Sequence, residues 1–220
     1  DGSIERIPWD TWESIPVFVS KPIDPMKPRQ TFRFGAVKPA LACGLLASIS
    51  YVQAQTNGTW TANAPGNWSD TTKWSGGLVA SGASAIADFS TLDITGDHVV
   101  TIDAPYTIGT LMSQDFNSTS SSWVFAGTGP LTLDNGVSQP VLNILNRLPV
   151  ISAPLAGTNG FSKIGSGQVT LSGNNSGLTG TINLPDVTGT NSAGLVLSNS
   201  DAIGGISVIN IGGTGTASGQ

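Results

Sequence analysis

Basic side chains, cysteine and histidine are nearly missing from most of this 220-residue chain, which has one Cys and one His. After residue 54 the only basic residues are Lys73, Arg147 and Lys163, and Glu does not occur. Nucleic-acid binding draws its main energy from basic side chains that neutralise phosphates. We therefore expect no nucleic-acid partner.

The scarcity of Glu, Lys and Arg also removes the strongest polar helix formers, while Thr, Val and Ile are common. The apolar residues occur in short alternating runs separated by Gly, Ser and Asn, which a disordered chain would not require. The region after residue 54 is therefore predicted to be all-β.

No apolar run is long enough to cross a bilayer as a helix: the longest covers residues 39–49, and a span needs about 20 residues. Basic residues precede this run from Lys27 onward, and the small residues Val52 and Ala54 follow it. This pattern predicts a secretory signal peptide over residues 26–54, cleaved after Ala54. A buried helix of a globular domain is the alternative.

The single cysteine, Cys43, lies inside the apolar run. A lipidated cysteine would be preceded by Leu three positions earlier, where this chain has Ala40. Cleavage after Ala54 would leave a secreted or cell-surface chain without cysteine and hence without disulfides. Residues 1–25 lack a starting Met and are predicted not to belong to the native mature protein. The ending "GGTGTASGQ" suggests a fragment of a longer protein.

Short strands recur from Thr95 onward, each followed by turn residues. The alternation predicts that Gln168 and Thr170 point outward and that the pattern slips between Val208 and Ile209. The residues predicted to point inward in the later strands are Val169, Leu171, Ile182, Leu195 and Leu197.

An internal repeat favours stacked coils over a sandwich. The phrase Gly-Ser/Thr-Gly-x-Leu/Val-Thr-Leu occurs at 127–133 and again at 165–171, with a weaker echo at Gly213. Repeated short units bury their apolar faces by stacking. We therefore expect a right-handed parallel β-helix over residues 95–220, preceded by a Trp-rich cap over residues 55–94.

Three stretches carry a family resemblance: "FSKIGSGQVTLSGNNSGLTGTINL" at 161–184, "GLVLSNSDAIGG" at 194–205, and the Trp-rich "TWTANAPGNWSDTTKWSGG" at 59–77. Together they resemble the autotransporter-associated β-strand repeat of bacterial passenger regions. The resemblance implies display at the bacterial cell surface or outer membrane.

Catalytic chemistry has few candidates. His98 lies beside Asp97 and near Asp103, which allows a base for a serine nucleophile, but a lone His in a Ser-rich chain favours a strand-edge residue. Asp88 and Asp93 complete the densest carboxylate group, which we interpret as solvated turn residues. We expect no enzymatic activity, no metal and no cofactor.

The cluster Trp60, Trp68 and Trp74 has two interpretations. Exposed rings could stack on sugar faces, whereas buried rings would cap the open end of the solenoid. The expected function is a structural scaffold for display or adhesion, with glycans or surface proteins as partners. A carbohydrate-binding or carbohydrate-cleaving β-helix is the alternative.

Overall fold

The computed structural model describes residues 54–117, 121–185 and 194–212. In these ranges the chain forms sixteen strands, three short 3-10 turns and no α-helix. Parallel strands stack into a β-solenoid of about six turns, which confirms the predicted all-β, parallel fold.

The strands are β1 (Gly58–Thr59), β2 (Gly66–Asn67), β3 (Ile86–Phe89), β4 (His98–Ile102), β5 (Tyr106–Ile108), β6 (Thr110–Ser113), β7 (Trp123–Gly127), β8 (Leu131–Leu133), β9 (Val141–Ile144), β10 (Val150–Ile151), β11 (Leu155–Gly157), β12 (Phe161–Ile164), β13 (Val169–Leu171), β14 (Gly177–Leu184), β15 (Leu195–Leu197) and β16 (Gly205–Ile211). The 3-10 turns are η1 (Thr71–Lys73), η2 (Ser75–Gly77) and η3 (Ser200–Ile203).

These strands form three faces, each visited once per coil. The first face holds β1, β3, β6, β9, β12, β14 and β16, and the second holds β2, β4, β7, β10, β13 and β15. The third face holds β5, β8, β11 and the start of β14. Strand β14 turns a corner, since its first residues pair with β11 and its later ones with β12.

Coil length varies along the stack. Phe161 pairs with Ile182, 21 positions further on, whereas Thr110 pairs with Val141, 31 positions further on. Parallel pairing requires the strands to align but leaves the connecting loops free in length. The longest coil therefore has its additional residues in the connections between strands.

The repeated phrase is not one coil, contrary to the interpretation of a unit repeating every 38 residues. Its first copy ends in β8 on the third face, and its second copy ends in β13 on the second face. Both copies begin with a glycine at positive φ, Gly127 at 124° and Gly165 at 81°. The phrase therefore encodes a corner followed by a short strand, an arrangement that recurs within a coil.

The interior is a continuous apolar column. Val169, Leu171 and Ile182 are fully buried, as predicted, while Gln168 and Thr170 lie half-buried on the outside. Leu195 and Leu197 differ from the prediction: Leu195 is half-buried and Leu197 is 37% exposed. Both align with buried residues of β13, but β15 is the outermost described strand of its face, so no described coil covers them.

The predicted slip in the last strand is present one position earlier than expected. Gly180 pairs with Ile206 and Thr181 pairs with Val208, so Ser207 is the additional residue of a β-bulge.

The stack begins before residue 95. Strand β3 lies within the segment 55–94 assigned to the cap, and it pairs with β6 in the first face. Residues 1–25, the signal peptide up to residue 53 with Cys43, and the echo at Gly213 lie outside the described residues. Ala54 is the first described residue and is exposed.

Candidate functional site

Three tryptophans close the first coil. Trp60 follows β1, Trp68 follows β2, and Trp74 lies between η1 and η2. The ring centroids of Trp60 and Trp74 are 5.2 Å apart, and those of Trp68 and Trp74 are 5.1 Å apart. Phe89 lies 5.4–5.6 Å from all three rings, in edge-to-face or tilted contacts that aromatic pairs prefer.

These rings are not available to a ligand in this arrangement. Trp60 and Trp68 have no exposed surface, and Trp74 is 2% exposed. Each indole nitrogen donates to a nearby carbonyl: that of Trp60 to Ala62 at 2.8 Å, that of Trp68 to Ala80 at 3.0 Å, and that of Trp74 to Trp68 at 2.8 Å. The burial argues against sugar stacking and matches the geometry of a cap.

Polar groups brace the cap from outside. Asp70 begins η1: the hydroxyl of Thr72 donates to its carboxylate at 2.6 Å and the amide of Thr72 at 3.0 Å. These bonds, the hydroxyl first, hold the pKa of Asp70 below its ordinary value. A second carboxylate, Asp103, accepts from both the amide and the hydroxyl of Ser69.

Tyr106 packs against the cap, with its ring centroid 5.7 Å from that of Trp68. Partial burial raises the pKa of its phenol, and the nearby charge of Asp103 raises it further. Neither change brings the group into the range needed for proton transfer near neutral pH.

His98 and Asp97 have separate structural partners. The Nε2 atom of His98 is 2.6 Å from Oδ1 of Asn63, and Asp97 accepts a hydrogen bond from the amide of Ser122 at 2.7 Å. No hydrogen bond joins His98 to a carboxylate among residues 54–117. The structure therefore does not bring the predicted base and its orienting acid together.

The aspartate group is also spread over separate turns. Asp88 accepts from the amide and hydroxyl of Ser90, as an Asx turn does. Asp93 accepts from Asn117 at 3.1 Å, and its other carboxylate oxygen is buried without a partner. The described parts of the chain contain no group of three His, Cys, Asp or Glu residues that could hold a metal ion.

Two buried charges were not anticipated from the sequence. Asp115 is 1% exposed, with an oxygen 3.7 Å from Nε of Arg147, and its backbone forms two hydrogen bonds with the side chain of Asn146. Lys163 is 2% exposed and donates to the carbonyls of Gly165 and Gly167. Both satisfy corners of the stack, and no local pattern marks them because Asp115 and Arg147 are far apart in sequence.

Comparison with protein-family models, curated proteins and solved structures finds no match for this chain. The resemblance to the autotransporter-associated repeat therefore stays a prediction. None of the helical segments in the described ranges is long and apolar enough to span a membrane.

Proposed function

We propose that this chain is a secreted or surface-displayed scaffold that presents an extended, uncharged β-surface. The observation that carries the proposal is the continuous apolar column from the Trp cap to the last described coils. Each coil covers the apolar side chains of the one before it, so that length and rigidity come from repetition. This construction suits the spacing and display of surfaces.

The outer surface of the second face supports a contact role. Its register aligns Val99, Val124, Val150, Thr170 and Val196 in one row across successive strands. Val99 is 40% exposed and Val196 is 37% exposed. A row of uncharged β-branched side chains on a parallel sheet offers a regular surface for weak, repeated contacts with glycans or surface proteins.

Secretion is the second part of the proposal, and it depends on the sequence pattern of residues 26–54. The first hydrogen bonds of the described chain follow that pattern immediately. Thr56 exchanges two backbone bonds with Ser81, and the side chain of Gln55 donates to Ser84 at 3.0 Å. A chain starting at Gln55 would therefore keep these contacts.

Insertion of a short, flexible epitope between Gly136 and Val137 tests the display function. Val137 is fully exposed in a turn, and loops lengthen at low cost, so we expect a loss of stability below about 1 kcal/mol with the epitope bound by its antibody. The matched control places the same epitope inside β12, between Ser162 and Lys163, where it should abolish cooperative unfolding. Equal damage at both positions would contradict the scaffold.

A further inference from the structure

The last described coil leaves core positions uncovered. On the first face Ile209 pairs with Ile182 and Ile211 with Leu184, so both isoleucines occupy inward positions of the stack. Their partners are 0% and 7% exposed, whereas Ile209 is 36% and Ile211 is 72% exposed. With Leu197 of the second face, they form an apolar surface, which we call the open end.

Backbone groups at the open end are also unsatisfied by pairing. Within the described residues, β16 pairs with β14 on one side and with no strand on the other. Such an edge is a template for another strand. Residues 213–220 contain no aliphatic side chain larger than Ala217, so they cannot supply the apolar cover that Ile209 and Ile211 need.

The two ends of the stack are not complementary. At the first coil, Trp60, Trp68 and Trp74 are buried and the indole nitrogens are bonded internally. Stacking of one open end on the next molecule's cap would leave the apolar side chains without a matching surface. An open end matches another open end, which gives a closed two-fold pair and not a fibre.

We propose that the open end binds the open end of a second copy of this chain, with β16 pairing antiparallel to its own counterpart. The two apolar columns then become continuous across the interface. In a two-fold arrangement each charge on the strand would face the strand of its copy, and Gly205–Ile211 carries none. The proposal goes beyond the scaffold function, because a monomeric scaffold would display the same surfaces.

Analytical ultracentrifugation of the full chain over a range of concentrations tests the proposal. We expect a reversible monomer–dimer equilibrium, and Ile211→Lys should weaken dimerisation about tenfold or more because it introduces a charge into the interface. Val137→Lys is the matched control, since it introduces the same charge on an exposed valine away from the open end. A wild-type monomer, equal weakening by both variants, or species that grow without limit would overturn the proposal.

A proximity measurement locates the contact independently of the lysine variant. Cys43→Ser removes the native thiol, and Asn210→Cys places a pyrene label on the outward side of β16. Excimer fluorescence that disappears on dilution is expected for this label and not for pyrene at Val137→Cys. Excimer at both positions, or at neither, would place the contact elsewhere and overturn the tail-to-tail arrangement.

Discussion

Side chains of β13 differ in environment from one residue to the next. Leu171 is fully buried in the apolar column, while its neighbour Thr170 lies half-buried in the outer row between Val150 and Val196. A strand imposes this alternation because successive side chains point to opposite sides. The energetic cost of a charge should therefore differ greatly between the two positions.

Replacement of Leu171 by Asp should reduce the free energy of unfolding by about 4 kcal/mol or more, since it buries an unpaired carboxylate. Replacement of Thr170 by Asp is the matched control and should cost below about 1 kcal/mol, because its carboxylate reaches water. Urea unfolding monitored by circular dichroism measures both. Similar losses for the two variants would refute the register of β13.

Gly160 shows how closely neighbouring coils approach at a corner. Its φ is 60°, its amide donates to Thr179 at 2.8 Å, and an added Cβ would collide with the Thr181 carbonyl of the next coil. Gly96 differs, since a Cβ there would meet nothing within 4 Å.

Gly160→Ala should therefore cost about 2 kcal/mol or more, from the left-handed backbone and the collision together. Gly96→Ala, the control, should change stability by no more than about 1 kcal/mol. Thermal unfolding of the two variants distinguishes them. If Gly160→Ala proved as stable as Gly96→Ala, the close contact between these coils would be wrong.

At the level of elements, the cap has the same task that each coil performs for its neighbour. Strands β1 and β2 contain two residues each, too few to cover the apolar side chains of β3 and β4. The indole rings supply the missing area, and Phe89 of β3 connects them to the column through contacts with Trp123 and Phe125 at 5.3 and 4.9 Å.

Trp68→Ala should destabilise the chain by about 3–5 kcal/mol, through the cavity and the lost bond to Ala80. Trp68→Phe, which keeps an aromatic ring but not the donor, should cost less. Thermal unfolding gives the order of stabilities, and the near-ultraviolet circular dichroism of the cap should decrease most for Trp68→Ala. An unchanged Tm in Trp68→Ala would show that the cap contributes nothing to the stack.

For the whole molecule, the proposed secretion predicts where the exported chain begins. The small residues Val52 and Ala54 fit the signal peptidase, and the described hydrogen bonds begin at Gln55. N-terminal sequencing of exported protein should therefore start at Gln55. Ala54→Phe should block this cleavage, whereas Gln53→Leu, the control, should not. An exported chain that begins at Asp1 or Cys43 would contradict the proposal.

The sequence by itself determined the all-β class, the parallel solenoid and the inward side chains of β13 and β14, because period-2 alternation and glycine corners are local patterns. Leu131 and Val169 belong to near-identical phrases, yet they lie on different faces. Only the tertiary structure decided that, since parallel partners lie 20 or more positions apart and loop lengths set the register.

Burial at the candidate site was likewise decided by tertiary packing. The spacing of Trp60, Trp68 and Trp74 fits an exposed platform or a closed cap, and the position of Phe89 against their rings selects the cap. Lys163 is buried because backbone carbonyls of its own corner surround its ammonium group. Ile211 has the same alternating pattern as Leu171 but is exposed, because alternation determines which side a residue faces and a neighbouring coil determines whether that side is covered.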